Sequence, residues 1–310
     1  MAEEGVMSFE PEQSISQAQG ISRYANAALS DFNAQTHQLL QMSRRLDQHL
    51  LDHRQSNGNV WVHTESQKNK NSSKNYRTFE QNTHLTQIGV ETSSEQNIQL
   101  GGILSQSVAH NDYDQGNGRS RLIVATGYVK AYHQNGLWGS LDMNIGRAKN
   151  QIKLDDEKNN FQRDFYALGA NVGVQRQILG IDLQSAIGLR YYHISAVNYD
   201  LNQAEVAVKT ARPFNYHLGL KLSKTFEFKD FSLTPSLAGY YVNHLSKNGT
   251  INRVKVNNHR LNQPFGYSLG YQLGLAARYK RWELSGNWES IFTKETGKQT
   301  ALMLEIRYYW

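Results

Sequence analysis

Three short stretches hold residue types that could run acid–base chemistry: "HND" at 110–112, "DD" at 155–156 and "YYH" at 191–193. An imidazole becomes a general base when a carboxylate orients it and both converge on one bound substrate. These stretches lie far apart in the chain. With 11 histidines and several extended loops, chance proximity of an imidazole and an acid is the blander account, and solvated loop residues the simpler one. Cysteine is absent, which excludes thiol catalysis, disulfides and zinc–thiolate sites. No P-loop, nucleotide fingerprint, metal-ligand spacing or nucleic-acid motif occurs. The reading therefore assigns no catalytic residue, no metal, no cofactor and no nucleic-acid partner.

A second set of charges recurs inside otherwise apolar stretches, and what positions it is a period of two. In "FGYSLGYQLGLAARY" Phe265, Tyr267, Leu269, Tyr271, Leu273, Leu275, Ala277 and Tyr279 alternate with small or polar residues ending at Arg278. "YALGANVGV", "YHLGLKLSK" and "RWELSGNW" behave alike. The closing stretch "ALMLEIRYYW" places Leu302, Leu304, Ile306, Tyr308 and Trp310 on one face and Glu305 and Arg307 on the other. A chain end normally frays, so a strand finishing on an aromatic residue implies that something holds it.

Composition narrows the fold that such strands build. The 310 residues are only 39% apolar with a mean hydropathy of −0.63, yet aromatic residues make up 11%. That polarity would suit disorder, but disordered chains are poor in aromatics. No apolar run approaches the roughly 18 residues of a membrane helix. The start, "MAEEGVMSFE", is acidic without an apolar core, so it reads as a maturation point or a cut from a longer chain rather than a signal peptide. The formal charge of +6 is dispersed, which fits solvated loops and, secondarily, contact with anionic lipid head groups.

Residues 1–57 differ from the remainder. From Pro11 to Asp52 helix formers dominate, with one glycine at Gly20, and the pattern predicts a long helix with a possible break there, ending before "SNGN" at 56–59. It is too polar to span lipid; an exposed linker helix or half of a coiled coil is the plain alternative. From Asn59 onward about twelve strands are expected, one of them near 206–226. Tight connections, such as "HQNG" (133–136) and "YKRW" (279–282), alternate with longer charged or Asn-rich loops, including 198–205 and 247–262. Short turns at one end and longer loops at the other describe an up-and-down transmembrane β-barrel, an all-β membrane protein. An open edge in lipid would strand unsatisfied amides, so the last strand is expected to pair with "NVWVHTE" at 59–65.

At this point the chain resembles the translocator domain of monomeric autotransporters, the type Va secretion family of Gram-negative bacteria. The resemblance rests on "LSDFNAQTHQLLQMSRRLDQHL" before "GNVWVHTESQ", the twelve-strand pattern, and the terminal Tyr308, Tyr309, Trp310, where the family usually ends on Phe. It implies an outer-membrane barrel (58–310) threaded by the linker helix (1–57), a monomer that exports an N-terminal passenger, commonly a protease or an adhesin, to the cell surface. Implied partners are outer-membrane lipid and lipopolysaccharide, the barrel-assembly machinery and periplasmic chaperones, with Leu302, Leu304, Ile306, Tyr308 and Trp310 as the C-terminal assembly signal. Some members cut themselves at an Asn-Asn pair in this helix; here Asn26 and Asn33 are isolated, so no such cleavage is expected.

Geometry favours threading independently. A twelve-strand lumen is too wide for side chains alone, and one helix about 10 Å across fits it. Asp142, Asp182, Arg190, Lys221, Arg278, Glu283, Glu289, Glu305 and Arg307 are assigned to the lumen, where they can meet Arg44, Arg45, Asp47 and Arg54 of the helix segment through charge-assisted hydrogen bonds. The alternative for any one of them is lumen water. Competing functions are an outer-membrane barrel enzyme, either an omptin-like protease or a phospholipase, and a simple porin. None of these explains the long helix.

Overall fold

The structure, a computed structural model, describes residues 20–52, 57–94, 97–201, 204–244, 250–257, 259–264, 266–294 and 296–310. Among them one long helix, α1 (Arg23–Leu51), precedes the strands. The barrel wall runs β1 (Gly58–Asn71), β2 (Phe79–Ser93), β3 (Ile98–Tyr113), β4 (Gly116–Tyr132), β5 (Leu137–Leu154), β6 (Glu157–Ile178) and β7 (Ile181–Ile194). After an excursion through β8 (Val197–Leu201) and β9 (Ala204–Val208) it resumes with β10 (Phe214–Ser223), its short continuation β11 (Phe226–Glu227), and β12 (Phe231–His244). A second excursion, β13 (Thr250–Val256) and β14 (His259–Pro264), leads to β15 (Tyr267–Tyr279), β16 (Trp282–Thr293) and β17 (Gly297–Tyr309).

Every wall strand pairs antiparallel with its neighbours, and β17 returns to β1 from Asn59 opposite Tyr309 to Asn71 opposite Gly297. Twelve strands thus close on themselves, with β11 extending the pairing of β10 against β12. Closure satisfies the ladder amides that lipid could not. Along each strand side chains alternate between an exposed apolar row, represented by Val62, Leu104, Ile145, Ile187, Leu237 and Leu284, and a buried inward row that is largely polar. No described helix is long and apolar enough to cross a membrane; the strands do so.

The seam explains the aromatic end. Leu302, Leu304, Ile306 and Trp310 are exposed on the outer face, and the Tyr308 ring lies 4.9 Å from that of Trp282. The Trp310 N–H donates to the Gly58 carbonyl at 3.3 Å. Its indole covers Gly58 so closely that a Cβ there would sit 2.4 Å from the ring.

Two expectations are corrected. The stretch near 206–226 is not one strand: β9 leaves the wall and only β10 onward belongs to it. The connections 198–205 and 247–262, expected as loops, instead contribute β8, β9, β13 and β14 to a separate four-stranded sheet ordered β14-β13-β9-β8. Its strands carry their own alternation, and Leu201, Val206, Val208, Val254, Val256 and Leu261 are buried in one cluster with Ala25, Ala28, Leu29 and Phe32 of α1. The charged and Asn-rich residues between these positions mask that apolar face when the segment is read alone. The break expected near Gly20 is present, and α1 starts after it at Arg23. Ser22 caps α1, extended at φ −63° and ψ 158°, and its hydroxyl accepts from the Ala25 N–H at 3.2 Å; residues 11–19 lie outside the described residues.

Candidate functional site

α1 fills the lumen, and it is buried on nearly all sides although much of its surface is polar. Such a helix must draw its hydrogen bonds from the wall. At the end of the longer loops the partners are mostly neutral or aromatic. Asp31 accepts from the Tyr113 hydroxyl at 2.6 Å and from Gln35 at 2.7 Å. Asn33 donates to the Tyr76 hydroxyl at 2.7 Å, Gln38 donates to Ser107 Oγ at 2.9 Å, and the Arg163 guanidinium lies 4.3 Å from the Phe32 ring centroid. Arg23, at the start of the helix, pairs with Asp155 of the β5–β6 turn at 3.0 Å.

Toward the tight turns the contacts become ionic. Arg45 is held between two wall carboxylates: its Nε donates to Glu65 at 2.5 Å and its Nη1 to Glu289 at 2.7 Å, while Nη2 reaches both. Arg44 lies 3.3 Å from Glu289 and donates to Gln67 at 2.9 Å. Gln41 and Gln48 donate to the same pair of acids, at 2.8 Å and 2.9 Å. On the other side Asp47 accepts from Arg190 at 2.6 Å, and Arg190 also binds Asp142 at 2.7 Å. Below these, His49 and the Tyr128 hydroxyl both bond Glu91, which faces Arg307 at 3.6 Å. Lys130 caps the helix end by donating to the Leu50 carbonyl and to that of Asp52, and Lys221 pairs with the Asp52 carboxylate. A cation there satisfies orphan carbonyls and meets the negative end of the helix dipole.

The expected residues thus divide into groups. Arg44, Arg45 and Asp47 are joined to Glu289, Arg190 and Asp142, and Lys221 reaches the helix end. Asp182, Arg278, Glu283, Glu305 and Arg307 border a cavity of about 1930 Å³ at the tight-turn end, below the helix. There Arg278 lies over the Tyr309 ring at 4.2 Å, the Tyr309 hydroxyl donates to Glu283 at 3.1 Å, and Arg307 donates to Glu305 at 2.7 Å. Arg54 lies outside the described residues.

The acid–base candidates are scattered. His110 is on the outward face of β3, Asp155 is paired with Arg23, and His193 on β7 stacks against Tyr166 with centroids 4.8 Å apart. Three strands separate β3 from β7, roughly 19 Å along the sheet. They do not converge on one substrate.

A closed twelve-strand wall around a hydrogen-bonded helix is a specific architecture, and the family description "Autotransporter beta-domain" matches residues 60–289. The chain belongs to this family. It is an outer-membrane barrel of the Gram-negative kind. Among curated relatives, it is 29% identical over 309 residues to an adhesion and penetration protein autotransporter of Haemophilus influenzae, covering 97% of this chain and 21% of that protein. It is 25% identical over 299 residues to the IgA-specific serine endopeptidase autotransporter of Neisseria gonorrhoeae, covering 95% of this chain and 19% of that one. The chain therefore spans about a fifth of the length of these relatives. Among solved structures it resembles the translocator domain of autotransporter NalP from Neisseria meningitidis, with a TM-score of 0.74 and 16% identity over 92% of this chain and all of that one. The beta domain of the Bordetella autotransporter BrkA matches with a TM-score of 0.65 and 15% identity, covering 82% of this chain and all of that one.

Within this autotransporter barrel, sequence reasoning passed over Glu65, Glu91, His49 and Lys130. A signal existed for the first two. In "VWVHTESQ" the outward Val60 and Val62 put Trp61, His63 and Glu65 inside, and in "TQIGVE" the outward Ile88 and Val90 put Glu91 inside.

Proposed function

We propose that this chain is the translocator end of a longer protein: residues 58–310 form the pore, residues 1–57 link it to an N-terminal passenger, and the pair carries that passenger to the cell surface. The observation that carries the reading is the polarity of α1. Its first residue pairs with Asp155 on the longer-loop side and its last carbonyls are capped by Lys130 on the tight-turn side. In outer-membrane barrels the longer loops face outside and the tight turns face the periplasm. The chain preceding α1 is then delivered outside. On this reading Arg44, Arg45 and Asp47 seat the helix as the plug that remains after export, and the inward charges of the wall receive it. The barrel performs no bond-breaking chemistry of its own, and Asn26 and Asn33, each without an Asn neighbour, give the helix no self-cleavage pair. The alternating row ending at Trp310 addresses the chain to periplasmic chaperones and the barrel-assembly machinery. The mature barrel works as a monomer in contact with outer-membrane lipid and lipopolysaccharide.

The test restores a signal peptide and an epitope tag ahead of Ala2 in a Gram-negative host and probes intact cells with an impermeant antibody. Surface labelling is expected, and deletion of residues 11–52 should abolish it while the barrel still folds. A tag reached only after the outer membrane is opened, beside a folded barrel, would overturn the reading.

A further inference from the structure

The outward ends of β4 and β5 carry a charge arrangement that the helix and its lock do not use. Arg121 and Lys149 are directly opposed across the ladder, and both are exposed on the outer face. Arg119 and Lys153 stand on the same face in the next rows up, opposite Gln151 and Asn117. Like charges placed opposite each other weaken a sheet. Among the described residues no ion pair engages these four cations; the nearby Arg147 is matched by Asp164 at 2.6 Å, and Asp112 faces Asn117 from β3. A second opposed cation pair on the outer rim, Lys70 of β1 and Lys298 of β17, differs in that Lys70 also has Glu80 of β2 across from it.

Height decides what could neutralise the patch. One outward step below Arg121 and Lys149, about 6.6 Å along the strands, lie Ile123 and Arg147, and the next step on β5 is Ile145, with Met143 and Leu141 beneath it. Ile123, Ile145, Met143 and Leu141 are all about half exposed. The cations therefore sit on the upper border of the lipid-facing apolar band, on the longer-loop side. An occupant must be anionic above and hydrocarbon below.

We infer that the outer ends of β4 and β5 form a site for the phosphorylated, acylated sugar head of an outer-leaflet glycolipid, the lipid anchor of lipopolysaccharide. Arg121 and Lys149 hold one phosphate between them, with Arg119 and Lys153 above it. The guanidinium can grip two phosphate oxygens at once while the ammonium acts as a point charge. The acyl chains lie down the wall over Ile123, Ile145 and Met143. This deepens the lipopolysaccharide contact proposed above and depends on the outer-membrane placement, not on export.

The experiment titrates the full refolded chain in detergent with bis-phosphorylated lipid A and with the same lipid after enzymatic removal of its phosphates, and counts bound lipid by native mass spectrometry. The phosphorylated lipid is expected to bind at least about tenfold more tightly, the scale of a charge-assisted pair. Arg121→Gln with Lys149→Gln should remove that preference, and Lys70→Gln with Lys298→Gln, elsewhere on the rim, should keep it. Equal binding of the two lipids by the unaltered chain would overturn the proposal without any variant, as would an unchanged preference in a folded Arg121→Gln/Lys149→Gln barrel. Binding of the unacylated bis-phosphorylated disaccharide as strongly as lipid A would also overturn it. Lost lipid preference with the surface tag still exported leaves the translocator reading standing; lost export with the preference intact leaves this site standing.

Discussion

In the outer half of the lumen α1 is covered by Tyr76, Phe79, Phe161 and the valines of the β8–β9–β13–β14 sheet, and most of its polar groups find neutral partners. In the inner half the same helix meets Glu65, Glu289, Glu91 and Arg190, above a cavity of about 1930 Å³. The outer half excludes water by apolar packing, which is non-directional and tolerant of small adjustments. The inner half fixes rotation and height, because a guanidinium between two carboxylates has few acceptable positions. Sealing and registering the plug are thus assigned to different ends.

The largest break in this comparison should come from Arg45→Ala. It leaves Glu65 and Glu289 buried without their shared cation, a loss of about 3–5 kcal/mol for a disrupted buried pair. Hydrogen exchange across α1 should accelerate and single-channel conductance should rise. Replacing all three together, Arg45→Met, Glu65→Gln and Glu289→Gln, should recover most of the protection; failure to recover would show that the carboxylates serve something besides the helix. A smaller effect is expected from Leu29→Ala in the outer half, about 3 kcal/mol for a truncated buried leucine. If apolar packing is the seal, this variant should raise brief conductance openings while the inner part of α1 keeps its exchange protection. The least effect belongs to Arg23→Gln. Its pair with Asp155 is about a third to a half exposed, so after solvent screening the change should stay within about 0.5 kcal/mol and leave conductance unaltered.

How much of this was legible differs between wall and plug. Alternation along "NVWVHTESQ" and "ALMLEIRYYW" is enough to tell which side chains face in, because a strand places successive residues on opposite faces whatever it pairs with. The spacing of the breaks gives the wall its count of about twelve strands, and the cost of unsatisfied edge amides in lipid gives the pairing of the last strand with the first. The outer sheet escaped because its strands are short and are interrupted by polar residues such as Asp200, Glu205 and Lys255; only the presence of α1 beneath them gives that face something to cover.

The sequence by itself determined the period-two wall, the long polar helix before it, the absence of thiol chemistry and the family resemblance, all properties of local order and composition. The tertiary structure decided which charges meet. Arg45 is 20 residues from Glu65 and 244 from Glu289, and nothing in either neighbourhood encodes the other. They come together because closure of β17 on β1 sets those two wall positions on one side of the lumen, and because the capped ends of α1 fix its height within it.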